Sequence, residues 1–216
     1  MATKATASAP RLYVLAGVNG AGKSSIGGAA LRAFGADYYN PDEAARALMV
    51  ANPGLDQTPA NAAAWQQGKR LLQRAISGRL DFAFETTLGG ATMTAMLADA
   101  ATSGIEVRIW YVGLASAQAH IERVRRRVWA GGHDIPEDDI RRRYRHSRLN
   151  LIHLLPVLTE LRVYDNSAEA DPASGHVPQP ILLLHVRRGR ILGPPDLSST
   201  PGWAKPIVAA ALELRH

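Results

Sequence analysis

The chain has 216 residues, a net charge of +6 and no cysteine, which excludes disulfides, thiol nucleophiles, iron–sulfur clusters and Cys-ligated zinc. Its seven histidines form no His-Glu-x-x-His pattern, so a protein-bound zinc is not expected either. The positive charge comes from 21 Arg and only 4 Lys and implies an anionic partner: nucleic acid, a membrane surface or a phosphorylated small molecule.

Met1–Pro10 is short, polar and without an apolar core, so it reads as a disordered lead-in rather than a secretory signal. No run of 18 apolar residues occurs, so no membrane contact and a cytoplasmic location are expected. From residue 11 onward strand and helix patterns alternate. Leu12–Ala16 is a continuous apolar run, as in buried parallel strands. A helix is predicted from about Lys23 to Phe34, a strand at Asp37–Tyr39 and a helix at Pro41–Val50. Then follow a helix at Ala60–Ser77, a strand at Phe82–Glu85, a helix at Ala91–Thr102 and a strand at Val107–Val112. Helices at Gln118–Val128 and Pro136–Leu155 flank a Gly131-Gly132 break, and Leu161–Tyr164 is a fifth strand. Ile181–Val186 and Ile191–Leu192 surround Arg-Arg-Gly-Arg and read as a hairpin, within about 180–193. Repeated strand–helix units predict an α/β fold in three layers with a mostly parallel sheet. A single domain over 11–216 is expected, with ligands at the carboxyl ends of its strands.

Directly after the first strand stands Gly17-Val-Asn-Gly-Ala-Gly22-Lys23-Ser24, the pattern G-x-x-x-x-G-K-[ST] of a phosphate-binding P-loop. Its glycines let successive N–H groups converge on one anion at a helix N-terminus. Lys23 is suited to the β- and γ-phosphates and Ser24 to Mg²⁺. Gly17, Asn19, Gly20, Ala21, Gly22, Lys23, Ser24 and Ser25 form the candidate nucleotide-binding set, with Asn19 and Gly20 shaping the loop.

A P-loop specifies a nucleotide and leaves the reaction open. Three further stretches bear on it. Asn40-Pro-Asp-Glu43 is a good helix start, with Asn40 as cap and Pro41 first. The same stretch puts Asp42 at a strand's carboxyl end, where a kinase base stands. Glu85, with Thr86 and Thr87, ends another apolar strand at the same rim. It reads as a turn acid, a ligand of Mg²⁺-bound water or part of a substrate site. Third, nine Arg fall between Ile121 and Asn150 beside five acids, so this window carries +4. Glu122–Arg126, Glu137–Arg141, Asp138–Arg142 and Asp139–Arg143 are i,i+4 pairs, as on a solvated helix. Arg123 and Arg127 share a face without a local acid, which suggests an external anion. Two Arg-bearing helices around Gly131-Gly-His-Asp-Ile-Pro136 predict a lid over about 121–150, with His133 as a hydrogen-bonding residue of its loop.

Taken in order, these stretches resemble the zeta toxin family, in particular its stand-alone branch often labelled predicted ABC-type ATPases. The resemblance runs through Ala16–Ser25, Asn40–Glu43, Phe84–Leu88, Arg123, Arg127, Gly131–Pro136, Arg142–Tyr144 and Tyr164-Asp-Asn-Ser167. It implies a P-loop kinase that uses ATP and Mg²⁺ to phosphorylate a hydroxyl of a small molecule, as zeta toxins phosphorylate UDP-N-acetylglucosamine, a nucleotide sugar. By position it implies Lys23, Asp42, Arg127 and Arg143 as catalytic, with Asp42 the base, Arg142 the alternative to Arg143 beside Arg127 in the lid, and Asn166 near the nucleotide base. It also implies Glu85, Thr86, Thr87, Arg123 and Arg142 on the acceptor side. An antitoxin protein is a candidate partner by the same resemblance. The toxins usually show Asp-x-Asp ahead of an aromatic residue where this chain has Asn40-Pro-Asp-Glu43. The alternatives are a polynucleotide 5′-hydroxyl kinase or nucleic-acid-binding protein, and an ATPase or switch without an acceptor. Against nucleic acid, only Trp129 and Tyr144 stand near the Arg cluster as stacking candidates.

Overall fold

A computed structural model describes residues 9–28, 37–169 and 179–214. The lead-in at 1–8 and the predicted helical residues 29–34 lie outside the described residues. Among the described residues seven strands form one sheet: β1 (Arg11–Ala16), β2 (Asp37–Tyr39), β3 (Phe82–Thr86), β4 (Glu106–Gly113), β5 (Glu160–Asp165), β6 (Ile181–Arg187) and β7 (Arg190–Gly193). Among the described residues six α-helices accompany them: α1 (Pro41–Ala51), α2 (Gln57–Gly78), α3 (Ala91–Thr102), α4 (Ala117–Trp129), α5 (Glu137–Leu154) and α6 (Lys205–Glu213). A π-helical turn at Ser24–Gly28 follows the P-loop. No helix among the described residues is long and apolar enough to cross a membrane.

The strand order is β2-β3-β1-β4-β5-β6-β7. The first five strands pair in parallel, and β6 and β7 extend the sheet antiparallel. β1 lies between β3 and β4, so the chain leaves it toward one side first and crosses to the other later. That reversal opens a crevice above the carboxyl end of β1, where the P-loop stands.

Alternation along β1 explains the layers. Leu12, Val14 and Ala16 face a core shared with Leu72, Met93, Leu97, Leu151, Leu154 and Ile207 from four helices. Tyr13 and Leu15 face the other side, where Ile26 and Trp110 join them. The α/β reading and its parallel sheet therefore hold, and most element ends agree within one or two residues. The exceptions have physical causes. α6 was not anticipated, because Pro, Ser and Gly crowd the approach to it and its apolar residues show no clean period. α2 begins three residues earlier than expected, at Gln57, and Gln57 Nε2 donates to Asn61 Oδ1 at 2.8 Å across its first turn.

Of the expected i,i+4 ion pairs on α4 and α5, Glu137–Arg141 and Asp139–Arg143 form, at 3.9 and 3.3 Å, and the other two are replaced. Arg126 reaches Glu169 instead of Glu122, and Arg142 takes Asp139 at 2.8 Å instead of Asp138. Asp139 serves Arg142 and Arg143 together, the latter at 3.3 Å. Long side chains choose the partner the fold presents, and such exposed pairs are worth roughly 0–1 kcal/mol each.

Candidate active site

The P-loop is held open by close packing against its neighbours. Gly20 has φ +81, and a Cβ there would stand 2.7 Å from the His120 carbonyl oxygen of α4. Gly22 has φ +84, and a Cβ there would meet Asn166 Nδ2 at 2.6 Å. Both positions thus need glycine for conformation and for space. Asn166, just past β5, donates from Nδ2 to the Ala21 carbonyl at 2.9 Å, so it braces the loop from the side.

Lys23 Nζ donates to the Gly17 carbonyl at 2.8 Å. Burial pushes its pKa below the ordinary lysine value, against the pull of Glu85 and Asp42 and with the push of Arg127 and Arg143. Ser24 Oγ donates to Glu85 Oε2 at 3.1 Å. Glu85 is buried and also accepts from Tyr38 Oη and, at 3.1 Å, from Asn40 Nδ2. The side chain of Ser25 lies outside what the structure describes.

Asn40 joins helix start and site. Its Oδ1 accepts from the Asp42 and Glu43 backbone N–H groups at 2.9 and 3.3 Å, capping α1, while its Nδ2 binds Glu85. Asp42 is thereby fixed in the first turn. Its Oδ2 lies 3.9 Å from Arg127 Nη1 and its Oδ1 3.9 Å from His133 Nε2. The capping role and the placement of Asp42 at the site are both realised by one turn.

Six arginines of α4 and α5 divide into two groups. Arg125, Arg126, Arg141 and Arg142 pair with acids on the exposed side. Arg127 and Arg143 turn inward. Arg127 Nη2 donates to the His133 carbonyl at 3.1 Å, and its Nε is buried without a hydrogen-bond partner. Arg143 Nη1 donates to Asn19 Oδ1 at 2.8 Å. Arg123 lies over Gly20 and donates to the Ala168 carbonyl at 3.1 Å, on the Asn166 side of the loop. Arg142 stays on the exposed face.

A cavity of about 370 Å³ opens beside the loop. Lys23, Asp42, Glu85, Thr86, Thr87, His133 and Arg143 line it, together with Asn61 and Trp65 of α2. Arg123, Arg142 and Asn166 do not line it. Burial lowers the His133 pKa, an effect that Asp42 opposes.

Three features had no signal in the sequence. Leu88 has φ +53, unusual for a branched side chain. It is tolerated because its side chain is buried, Thr86 Oγ1 accepts its N–H at 3.0 Å and Asn150 Nδ2 donates to its carbonyl at 2.8 Å. Trp65 sits on a helix with no motif. His120 is fully buried, and its Nδ1–H donates to the Asn19 carbonyl at 2.9 Å. Asn19 therefore ties the P-loop to α4 and α5.

Burial lowers the His120 pKa from 6.5 to about 4. A histidine kept neutral in the fold stabilises it above the unfolded pKa and ceases to do so as pH falls. We expect stability to drop between pH 6.5 and about 4, by on the order of 3 kcal/mol from this residue. Thermal unfolding of the protein and of His120→Gln across that window checks it. An unchanged pH slope in the variant would refute the assignment.

A family model described as Zeta toxin matches residues 1–171, most of the chain. The chain belongs to the zeta toxin family. An uncharacterised Haemophilus influenzae protein is 31% identical over 132 residues, covering 59% of this chain and 88% of that one. The crystal structure of AvrRxo1-ORF1:-ORF2 with ATP superposes with a TM-score of 0.65 at 14% identity, over 95% of this chain. This chain spans only 64% of that protein's length. A chain of the PezAT chromosomal toxin–antitoxin system of Streptococcus pneumoniae has a TM-score of 0.52 at 17% identity, over 72% of this chain and 67% of that one. Family and fold together mark a kinase-type P-loop protein.

Proposed function

We propose that this zeta toxin family member is an ATP-dependent kinase that transfers the γ-phosphoryl group to a hydroxyl of a small molecule. The observation that carries the proposal is that Lys23 of the P-loop, Asp42 of α1 and Arg143 of α5 line one cavity, while Arg127 of α4 approaches Asp42 without lining it. Asp42 Oδ2 lies within 3.9 Å of Arg127, and Lys23 lines the cavity with Asp42.

In this reading the P-loop N–H groups cradle the phosphates and Lys23 exchanges the Gly17 carbonyl for a phosphate oxygen. Asp42 accepts the proton of the acceptor hydroxyl as the new P–O bond forms and the bond to ADP breaks. Arg127 and Arg143 offset the negative charge on the transferring group. Thr86 and Thr87 face the acceptor. The oxygen donors Ser24 Oγ and Glu85 Oε2, 3.1 Å apart, fit Mg²⁺, which needs only one or two protein oxygens beside phosphates and water. Bound there, Mg²⁺ would neutralise β- and γ-phosphate charge. Among the described residues no cluster of three His, Cys, Asp or Glu exists to hold a metal alone.

The resemblance implies a nucleotide sugar as acceptor, and the companion proteins named with both structural neighbours support an antitoxin-type partner. Incubating the protein with ATP, Mg²⁺ and a metabolite extract, followed by mass spectrometry, tests the kinase reading. The expected result is one metabolite heavier by a phosphoryl group. Release of ADP and phosphate with no phosphorylated product would make it an ATPase instead.

A further inference from the structure

Glu85 is a buried carboxylate whose three hydrogen bonds all come from neutral groups. Tyr38 Oη and Asn40 Nδ2 donate to its Oε1, and Ser24 Oγ donates to its Oε2. Lys23 shares the cavity, but its short bond goes to the Gly17 carbonyl. A buried carboxylate is stable when a cation pairs with it, and none of its bonded partners supplies one. The two oxygens also differ. Oε1 is held by an amide and a phenol from β2 and the residue after it. Oε2 meets the Ser24 hydroxyl, which can turn its hydrogen away and offer a lone pair.

Asn40 is locked into its part of this arrangement from the other end. Its Oδ1 accepts from the Asp42 and Glu43 backbone N–H groups, at 2.9 and 3.3 Å. Turning the amide over would lose both cap bonds and set Oδ1 against Glu85 Oε1. The amide nitrogen also lies 3.5 Å from Ser24 Oγ, so it reaches both members of the oxygen pair. The side chain is 7% exposed, which leaves water little part in holding Glu85. We propose that Asn40 is a positioning residue for a divalent cation: its amide clamps Glu85 Oε1, so that Oε2 stays beside Ser24 Oγ as the second protein oxygen of the metal site. Asn40 acts through Glu85 and does not itself ligate the metal. The same side chain orders Asp42 through the backbone, so one residue assigns the two rim carboxylates to different places. This rests on the Mg²⁺ site of the kinase reading above and adds the residue that builds that site.

The test uses the full chain with Mn²⁺ as the probe, at a saturating concentration of a non-hydrolysable ATP analogue. Free Mn²⁺ is read from its electron paramagnetic resonance signal, so turnover is not needed. Asn40→Ser keeps a capping oxygen, because Ser and Asn cap helices about equally well, and loses the amide. We expect its Mn²⁺ affinity to fall roughly 10–100-fold, the usual effect of removing a group that orients a metal ligand. Its unfolding temperature without metal should stay close to that of the unaltered chain, which a purely structural cap role would not separate from the metal effect. Glu85→Gln should weaken Mn²⁺ by itself, and adding Asn40→Ser to it should change the affinity less than about two-fold, because the amide works through the carboxylate. Tyr38→Phe removes the other bond to Oε1 without touching the cap, and should weaken Mn²⁺ in the same direction. It decides the matter if Asn40→Ser does not fold. Unchanged Mn²⁺ affinity in Glu85→Gln or in folded Asn40→Ser would overturn the proposal, as would an equal loss from Asn40→Ser with and without Glu85. A phosphorylated product in the extract experiment together with unchanged Mn²⁺ affinity in Asn40→Ser would sink the positioning role alone. The expected Mn²⁺ losses with no phosphorylated product from any metabolite would sink the kinase reading alone.

Discussion

Asp42→Asn is expected to lower turnover by about 10²–10⁴-fold, the usual worth of a positioned general base. The change is nearly isosteric. The Asp42 backbone N–H, which satisfies the Asn40 cap, is retained, so α1 should keep its start. What disappears is the charge that faces Arg127 and His133, each 3.9 Å away. ATP affinity should therefore change little, because no phosphate contact is removed. Phosphotransfer assays with parallel ATP titration separate the two quantities. Full activity in Asp42→Asn would mean that the proton leaves by another route. His133 is the nearest candidate for that route, since burial favours its neutral, proton-accepting form.

Lys23→Ala should behave differently. In the proposed kinase it removes the cation that would hold phosphate charge, so turnover should fall roughly 10²–10³-fold and ATP binding should weaken with it. Stability should not fall in step. Burial already disfavours the charged ammonium, and Arg127 and Arg143 add like-charge repulsion. Removing the side chain relieves both, and its one short bond goes to the Gly17 carbonyl. Thermal unfolding without nucleotide is expected to occur at or above the wild-type temperature. A variant that loses activity because it unfolds would contradict this account of Lys23.

The two substitutions thus probe parts of the site that differ in how they were legible. Lys23 and Ser24 are announced by local chemistry. An apolar strand, three glycines and a lysine within a few residues produce the same cradle wherever they occur, because the loop's own backbone makes the site. Asp42 was legible in two senses at once, as a helix-start acid and as a rim carboxylate. Only the observed cap shows that these are compatible, with Asn40 bonding the helix start on one side and Glu85 on the other. The Arg-rich window was visible as composition, but its division was not. Charge counts and helix spacing treat Arg142 and Arg143 alike, while a rotation of one residue about α5 sends Arg142 outward and Arg143 to the P-loop. His120, 101 residues from the carbonyl it binds, and Trp65, far along an unremarked helix, carry no motif at all.

The sequence by itself therefore determined the α/β class, the parallel strands, the phosphate cradle and the carboxylates at the rim. These follow from period, turn chemistry and short motifs, which act within one or two elements. Only the tertiary structure decided which arginines turn toward the P-loop and Asp42, which side chains brace the loop and which residues line the cavity beside it. Those are contacts between elements far apart in the chain, and the direction of a side chain on a packed helix is set by its neighbours in space.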